Sequence, residues 1–512
     1  MLAKSYSAGL SGIDGYIVTV EVNATGSMPY FNIVGLPDSA VKESKERVKI
    51  AIVNSQCQFP YNKRVVVNLA PAEIKKEGAF FDLPIALAMI ATTQQIPATA
   101  LVQYLIVGEL SLDGAVKPIK GALPIASSAK EAGFKNLIVP FANAPEAAVV
   151  EGINVYPVKT LYETVKFIAG ELSISPHIVD IKALFSQTSK YDLDFCEVKG
   201  QAHVKRAIEV ACAGGHNILM IGPPGSGKTM LARRIPTILP ELSLSEAIET
   251  TKIHSIAGLV FHQCSLLTTR PFRAPHHSIS DAGLVGGGQV PKPGEISLSH
   301  NGVLFLDELP EFPRNVLESL RQPLEDGLVT ISRASTSLTF PASFMLVAAM
   351  NPCPCGNLTD PSKECSCTPT QIQKYLAKIS GPLWDRIDIH IEVPGLKYKD
   401  LEGETQEESS TVIRERINKA RQIQRQRDSS HQKVYANSQM GPREIKKYCQ
   451  VEDQGKELLR TAIDKLGFSA RTYDRVLKVA RTISDLENTD TITATHISEA
   501  IQYRSLDRNL WK

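Results

Sequence analysis

The sequence of 512 residues lacks any apolar run long enough to cross a membrane. The best candidate, from Phe80 to Ala91, falls short of the roughly 18 residues that a membrane helix needs. It also contains Asp82 and Pro84. The first residues lack the apolar segment of a secretion signal. We therefore expect a cytoplasmic protein with no membrane partner.

The sequence also lacks an excess of either charge, a repeat of fixed period and any low-complexity tract. Its 56 basic and 54 acidic residues give a net charge of +2, which neither requires nor excludes nucleic acid as a partner. A local basic face would have to provide such binding. Apolar residues at 43% and charged residues at 21% are typical of globular proteins and argue against disordered and disulfide-scaffold classes.

The patterning along the chain predicts a multidomain α/β protein. Residues 1–170 alternate strand-like and helix-like segments, and a polar linker is expected over 171–195. Residues 196–395 contain the recognisable chemical motifs. Residues 396–512 open with an acidic stretch and continue with helical periodicity, so we expect an all-helical domain there.

Local patterns make finer predictions within these parts. Near-alternating β-branched residues predict strands over 16–22 and 64–70. Amphipathic spacing predicts a helix over 39–54, and Asp113-Gly114 predicts a hairpin turn. Apolar residues at three- and four-residue steps predict a further helix over 458–466.

Residues 217–229 place an apolar strand directly before a G-x-x-x-x-G-K-T loop. Its glycines let successive amides point at phosphate oxygens, and the helix that follows adds its positive end. We expect Lys228 to reach the β- and γ-phosphates of ATP and Thr229 to bind Mg²⁺. The predicted nucleotide- and magnesium-binding residues are Gly222, Pro223, Pro224, Gly225, Ser226, Gly227, Lys228, Thr229 and Asp307.

Two later strands end in polar residues that suit hydrolysis of the same nucleotide. The strand in 302–312 ends in Asp307 and Glu308, which we expect to hold Mg²⁺ and to polarise the attacking water, respectively. The strand in 344–356 ends in Asn351, whose amide is expected to orient that water against the γ-phosphate. Standing alone, Asn351 would be read as an ordinary strand-end asparagine.

Four of the nine cysteines lie within fifteen residues, as an insertion over 353–367. Cys353, Cys355, Cys365 and Cys367 form two Cys-x-Cys pairs, which in a cytosolic chain indicate a metal before disulfides. Four thiolates suit one tetrahedral structural Zn²⁺. A reduced loop without metal is the alternative, because Cys-x-Cys is tighter than the commoner Cys-x₂-Cys spacing.

Residues 411–430 contain six basic and two acidic residues. Arg414, Arg421 and Arg425 fall on one helical face and could follow a phosphate backbone, although such a charge run is more often a solvated face. The pair His276-His277 has no companion acid or cysteine nearby in the sequence, so a structural role in the loop is expected.

The three strand ends, in this order, resemble those of AAA+ ATPases. The strings RPFRAPHHSISDAGLVGGG (270–288), PGEISLSHNGVLFLDELPEF (293–312) and SGPLWDRIDIHIEV (380–393) resemble the magnesium-chelatase-like branch and, within it, the YifB/ComM family of competence-associated ATPases. The resemblance runs over essentially the whole chain, including the domain order.

This resemblance implies several roles. Arg386 is implied to be an arginine finger that enters the neighbouring subunit's site, and Arg471 a second sensor of the γ-phosphate, with Arg475 as the fallback. An arginine finger in trans implies an oligomer, and the superfamily implies a homo-hexamer. The family implies a branch-migration helicase acting on single-stranded and branched DNA, with the recombinase machinery as a further candidate partner.

Two insertions typical of the branch are also recognisable, one over 273–294 and a β-hairpin over 325–342. In related ring translocases such loops line the pore. Lys292 and Arg333 are therefore candidate DNA contacts, but solvated loop charges are the more common reading of such residues.

Residues 1–170 resemble the Lon-protease domain, most clearly over 108–140. Proteolysis by that fold needs a serine nucleophile and a lysine base. Phe80 and Phe81 occupy the expected serine region, and Leu123 stands where the lysine is expected, with Lys120 three residues early. We therefore expect the fold without the protease.

Two other classes of motor share the ATPase motifs. A chelatase motor would act through porphyrin-handling partners, but the first domain and the cysteine insertion are not expected parts of it. A remodelling chaperone acting on a protein partner is the remaining alternative. Stimulation of ATP hydrolysis by DNA would separate the helicase interpretation from both.

Overall fold

The computed structural model describes residues 1–26, 28–187, 191–260, 265–288, 291–333, 336–360, 362–395, 407–427, 436–466, 468–504 and 506. The chain forms two compact units. The first combines Met1–Thr188 with Leu244–Thr268, and the second combines Ser189–Ser243 with Thr269–Lys512.

The first unit is built on a mixed seven-stranded sheet with the order β3-β4-β2-β1-β5-β8-β9. In β2 every second residue is buried, including Val18, Val20 and Val22, which fixes the face that packs on the core. A short hairpin, β6–β7, lies outside this sheet. The strands are β1 Leu2–Ser11, β2 Asp14–Thr25, β3 Tyr30–Val34, β4 Arg64–Ala70, β5 Tyr104–Ile106, β6 Glu109–Leu110, β7 Val116–Lys117, β8 Asn136–Pro140 and β9 Asn154–Val158.

The helices of the first unit confirm the amphipathic pattern predicted over 39–54. Asp38 caps that helix by accepting a hydrogen bond from the Val41 N–H at 2.7 Å. The α-helices are Ser39–Asn54, Asp82–Thr92, Ala98–Leu101, Ala122–Glu131, Ala144–Ala147, Leu161–Ile168, Ile181–Gln187 and Leu244–Ala257. The predicted strands over 16–22 and 64–70 and the turn at Asp113-Gly114 are confirmed as well.

The helix Asp82–Thr92 is buried along its whole length. Its acidic residue, Asp82, pairs with Arg47 at 2.8 Å. Just before it, the rings of Phe80 and Phe81 lie 4.7 Å apart, and both Phe81 and Leu123 are fully buried. The positions at which we expected the nucleophile and the base of a Lon protease therefore carry buried apolar side chains. Among the described residues, no helix is long and apolar enough to span a bilayer.

The helix Leu244–Ala257 belongs to the first unit, although the chain order places it inside the segment expected to be one continuous core over 196–395. It packs against the helix Ala122–Glu131. Ser255 hydrogen bonds to the carboxylate of Glu146, and Lys252 lies 3.6 Å from Asp14. The two units are therefore not consecutive stretches of the chain, because this helix packs within the first unit.

The second unit contains a parallel five-stranded sheet with the order β11-β14-β17-β10-β18. Its three central strands are apolar and fully buried, as expected for a parallel sheet covered on both faces. The phosphate loop, Asp307 and Asn351 follow β10, β14 and β17, so all three lie at the same edge of the sheet. The strands are β10 Ile218–Ile221, β11 Phe272–Arg273, β14 Val303–Leu306, β17 Met345–Met350 and β18 Ile389–Glu392.

The second unit also contains two hairpins. The strands β12 Gly286–Gly287 and β13 Lys292–Pro293 form the first, and Lys292 is exposed on it. The strands β15 Leu328–Arg333 and β16 Thr336–Pro341 form the second, which confirms the predicted β-hairpin. The side chain of Arg333 lies outside the described part of the chain.

The C-terminal part of the second unit is helical, as predicted. Residues 458–466 belong to a helix there, confirming that pattern. The α-helices of the second unit are Ala202–Gly214, Lys228–Ile238, Asp281–Leu284, Glu295–Leu298, Arg314–Ser319, Arg321–Asp326, Pro369–Leu376, Gly381–Trp384, Ser410–Arg427, Pro442–Tyr448, Asp453–Leu466, Ala470–Leu486 and Ala494–Gln502.

The basic helix Ser410–Arg427 uses much of its charge inside the unit. Arg414 Nε donates to the Thr237 carbonyl at 2.8 Å, and Arg421 donates to the Cys212 carbonyl at 3.2 Å. Of the three arginines predicted on one face, Arg425 alone is exposed. This face therefore contacts mainly the core of the unit and presents little positive charge for binding phosphates.

Candidate active site

The phosphate loop turns between β10 and the helix Lys228–Ile238. Gly227 stands directly before that helix with φ of +87°, a left-handed conformation that residues with a Cβ rarely adopt. The turn directs the helix N-terminus at the loop, where its free N–H groups and positive end favour a phosphate.

Lys228 is buried, and its ammonium group points into the loop. Nζ donates to the carbonyls of Gly222 and Pro223 at 2.8 and 2.9 Å and lies 3.3 Å from Asn351 Oδ1. Burial lowers the pKa of Lys228, and the negative charges of Asp307 and Glu308 oppose that shift. The structure therefore brings the lysine, the loop and the asparagine into one place.

Thr229 and Asp307 provide a pair of oxygen ligands beside this lysine. Thr229 Oγ1 donates to Asp307 Oδ2 at 2.7 Å, and the other carboxylate oxygen accepts the Glu308 N–H at 3.0 Å. Hydroxyl and carboxylate oxygens are the hard ligands that Mg²⁺ prefers. The residues present therefore fit a magnesium ion held next to phosphates.

Glu308 follows Asp307 in a left-handed conformation, with φ of +53°. This conformation ends β14 abruptly, and the side chain remains 57% exposed. His277 Nδ1 lies 3.6 Å from its carboxylate. From the sequence we expected only a structural role for His277 in its loop, because 30 residues lie between it and Glu308 and the spacing does not predict their contact.

Asn351 also has a neighbour outside the phosphate loop. The hydroxyl of Tyr375, on the helix Pro369–Leu376, lies near the backbone of Asn351. Burial raises the pKa of Tyr375, so its hydroxyl stays protonated. We call Lys228, Thr229, Asp307, Glu308 and Asn351 the hydrolysis cluster.

The arginines lie in a different cluster. Arg386 borders an open cleft of about 540 Å³, contacts the Glu325 carboxylate and donates to the Pro382 carbonyl at 2.7 Å. The hydrogen bond from Arg386 lowers the pKa of Glu325, and the charge of Arg471 adds to that effect. Arg471 is exposed. We call Arg386, Arg471 and Glu325 the arginine cluster.

Arg475, the alternative to Arg471, is engaged elsewhere. Its NH1 group donates to Asp388 Oδ1 at 2.9 Å, and Asp388 Oδ2 accepts the Asn217 N–H at 3.0 Å. Asn217 precedes β10, and its side chain donates to the Arg386 carbonyl at 3.1 Å. Arg475 therefore joins the helical part to the sheet, which leaves Arg471 as the exposed arginine of that helix end.

The four clustered cysteines meet in space. Their sulfur atoms all lie within 4.8 Å of one another, with Cys353 and Cys355 at 3.4 Å and each of them 3.6 Å from Cys365. The Cys355 N–H points at Cys367 Sγ at 3.4 Å. Tetrahedral zinc with Zn–S bonds of about 2.3 Å needs sulfurs roughly 3.8 Å apart, close to these distances.

The thiols of this cysteine cluster differ in acidity. A hydrogen bond from the Asn357 backbone, with help from Cys353, lowers the pKa of Cys355 to about 5. Burial raises the pKa of Cys353. The lowered pKa of Cys355 favours the thiolate, the form that binds metals.

Comparisons with known families cover most of the chain. Residues 194–401 match the family described as magnesium chelatase, subunit ChlI. Residues 20–143 match subunit ChlI of Mg-chelatase, and residues 407–504 match its C-terminal family. All five residues of the hydrolysis cluster and all four cysteines lie within the first of these matches.

Some individual relatives match over nearly the full length, and others match only a part of the chain. The chain is 45% identical to the competence protein ComM of Haemophilus influenzae, over 100% of this chain and 99% of that one. It is 42% identical to YifB of Escherichia coli, over 98% and 96% of the two chains. Lon protease 2 of Bacillus subtilis is 26% identical over 32% of this chain. The chain belongs to the YifB/ComM family of magnesium-chelatase-like AAA+ ATPases.

Proposed function

We propose that this protein is a Mg²⁺-dependent ATPase that assembles as a homo-hexamer and moves along DNA. Its task would be branch migration, which extends recombination joints when single-stranded DNA is integrated. The hydrolysis cluster is the observation that carries the ATPase part. The DNA part is supported by the full-length likeness to a protein named for competence.

The residues of the hydrolysis cluster divide the work of cleaving ATP. Lys228 now donates to loop carbonyls and would exchange them for phosphate oxygens. Thr229 and Asp307 would hold Mg²⁺, which neutralises charge on the phosphates. Asn351, 3.3 Å from Lys228 Nζ, would orient the attacking water.

Glu308 would take the proton from that water as its oxygen attacks the γ-phosphorus. The bond between the γ-phosphorus and the bridging oxygen breaks, and ADP and inorganic phosphate leave. The carboxylate is exposed enough to meet water and lies beside Thr229 and Asp307 along the same sheet edge. The nearby His277 would limit the directions in which Glu308 can point.

The arginine cluster would serve a neighbouring subunit. Arg386 contacts Glu325 and the Pro382 carbonyl of its own chain. A guanidinium from the next subunit would stabilise the charge that develops on the γ-phosphate. In the assembled ring Arg386 would therefore exchange Glu325 for the neighbour's nucleotide, and Arg471 lies close enough to Glu325 to act on the same side.

The hairpin β15–β16 is the candidate element for DNA contact. One face carries two cross-strand pairs of exposed hydroxyls, Thr330 with Thr339 at 3.2 Å and Ser332 with Ser337 at 3.1 Å. Hydroxyl groups donate readily to phosphate oxygens without reading the base sequence. Such a face suits a motor that must move along any DNA.

We further propose that the cysteine cluster holds one structural Zn²⁺. The thiolate Cys355 and sulfurs at near-tetrahedral distances support this. All four positions are filled by protein ligands, so the ion would stabilise the loop without binding substrate. Elemental analysis of the purified protein should find one zinc per chain.

ATP hydrolysis measured with no DNA, single-stranded DNA, duplex and a three-strand junction tests the motor. We expect stimulation by DNA, strongest with the junction, and a loss of this stimulated turnover in Lys228→Ala and a strong reduction of it in Glu308→Gln. Strand displacement should follow the same order. Robust hydrolysis indifferent to every DNA would reject the DNA motor and indicate a protein partner instead, as for a chelatase-type or chaperone-type motor.

A further inference from the structure

The loop that carries the cysteine cluster begins at the hydrolysis cluster. Asn351, whose side chain lies 3.3 Å from Lys228 Nζ, is separated from Cys353 by Pro352 alone. Cys353 is fully buried. A restriction on the position of the Cys353 thiolate therefore also restricts the Asn351 side chain, which is two peptide bonds away and faces the nucleotide site.

The same loop also packs directly on the phosphate loop. Gly356 has a φ of +82°, and a Cβ at this position would lie 2.5 Å from Cδ of Pro224. The Gly356 N–H closes a turn onto the Cys353 carbonyl at 3.0 Å. The backbone of the cysteine loop thus touches a residue of the G-x-x-x-x-G-K-T motif itself.

The far end of the loop returns to Asn351 as well. Cys365 and Cys367 lead into the helix Pro369–Leu376, which is fixed by a capping box between Thr368 and Gln371. The hydroxyl of Tyr375 on this helix lies near the backbone of Asn351. The cysteine cluster therefore closes a loop whose two ends both meet Asn351.

We propose that metal occupancy of the cysteine cluster sets the affinity of the phosphate loop for ATP. This inference rests on the proposed zinc site. A bound ion ties the four thiolates together and restricts the loop that supports Pro224 and Asn351. The nucleotide site is then preorganised, because less conformational freedom remains to be lost when ATP binds. By thermodynamic reciprocity, ATP must tighten metal binding by the same factor.

The linkage is measured on full-length protein at constant Mg²⁺. Protein loaded with one equivalent of Zn²⁺ is compared with protein stripped by a zinc-selective chelator under reducing conditions, using a fluorescent, non-hydrolysable ATP analogue. We expect removal of zinc to weaken nucleotide binding by about fivefold or more, the lower end of typical coupling between sites. Competition with the chelator should show zinc held more tightly by the same factor when the analogue is present.

A substitution at Gly356 tests the contact with Pro224 independently of the metal. Gly356→Ala leaves all four thiols in place but puts a Cβ against Pro224 in a left-handed backbone. It should retain zinc and bind the analogue more weakly than the loaded wild-type protein. Gly133→Ala is the matched control, since Gly133 has a similar φ of +86° with no atom within 4 Å of its Cβ position. It should change neither property.

The outcomes distinguish the two proposals. If zinc is bound and nucleotide affinity is identical with and without it, the linkage is wrong while the metal site stands. If neither zinc nor cobalt binds at one equivalent, the metal site is wrong and the linkage fails with it. Weaker nucleotide binding in stripped protein whose circular dichroism is unchanged supports both.

Discussion

The hydrolysis cluster and the arginine cluster differ in how far a single chain completes them. In the first, Lys228, Asn351, Thr229 and Asp307 are already within hydrogen-bonding distance of one another in pairs. In the second, Arg386 contacts a carboxylate of its own chain, and the described residues that line its cleft include none of the hydrolysis cluster. We therefore expect a single chain to bind ATP and full hydrolysis to need a neighbouring chain.

The contrast between the two clusters would be wrong if Arg386 acted on the nucleotide bound by its own chain. Arg386→Ala should lower the turnover of the assembled protein by about 10³-fold or more, the usual effect of losing an arginine finger, with ATP binding retained. Steady-state hydrolysis and analogue binding measure the two effects. Arg460→Ala, at an exposed position of another helix, is the control.

Mixing subunits identifies the chain that Arg386 serves. Lys228→Ala and Arg386→Ala proteins are each expected to be inactive. Mixed rings should regain part of the activity, because an intact arginine from one subunit can enter the intact phosphate loop of the next. A mixture as inactive as its components would place the arginine in cis.

Glu308→Gln tests the other cluster. The substitution removes the proton acceptor and keeps the shape, so turnover should fall by about 10²- to 10⁴-fold with nucleotide affinity nearly unchanged. Glu311→Gln is the matched control, since this exposed glutamate lies in the same segment and pairs with Lys378 at 3.2 Å. Equal losses in the two variants would exclude a special role for Glu308.

A substitution of Asp388 tests the contact through which Arg475 joins the helical part of the second unit to its sheet. This buried carboxylate accepts hydrogen bonds from Arg475 and from the Asn217 backbone. Burial raises its pKa, but the charge of Arg475 and the contact with His216 outweigh this and hold the pKa below its usual value. Because the folded-state pKa is depressed, its stabilisation is present at neutral pH and is lost as pH falls below about 4.

Asp388→Ala should therefore lower the free energy of unfolding of the second unit at neutral pH by about 3–5 kcal/mol, the range for breaking a buried ion pair. At acid pH the difference from wild type should shrink. Thermal unfolding at several pH values measures both. Asp464→Ala, at an exposed helical position, should leave the midpoint within error of wild type.

His277 should give the smallest effect. Its contact with Glu308 is partly exposed, and such pairs contribute about 0.2–1 kcal/mol, which corresponds to a factor of roughly 1.4 to 5 in turnover. His277→Gln should reduce hydrolysis by this amount without weakening ATP binding. His276→Gln, at the neighbouring position whose ring packs on His277 at 4.0 Å between centroids, should have a smaller effect; an equal loss would indicate a general disturbance of the loop.

The sequence predicted the parts of the site that follow from local order. A strand, a glycine-rich loop and a helix specify the phosphate site, and acidic or amide residues after buried parallel strands must meet at the same sheet edge. The four cysteines were predictable for the same reason, because they lie within one short loop. Such features depend on a few consecutive residues.

Contacts between distant segments were not predictable in this way. Nothing in the spacing shows that Glu325 holds Arg386 or that His277 reaches Glu308. The basic face of the helix Ser410–Arg427 looks like a candidate phosphate track until Arg414 and Arg421 are found bonded to carbonyls of the core. The assignment of Leu244–Ala257 to the first unit likewise depends on side chains more than a hundred residues away.

The position of the helix Leu244–Ala257 affects the order in which the chain folds during synthesis on the ribosome. The first unit includes residues up to Thr268, so it cannot reach its final fold when Thr188 has been made. At about 5–20 residues per second, the delay before Thr268 is added is roughly 4–16 s. During that interval the phosphate loop is translated while the first unit still lacks a helix. The nascent chain must therefore complete the two units in an interleaved order, and a domain boundary cut at residue 170 would remove the partner that Ser255 and Lys252 require.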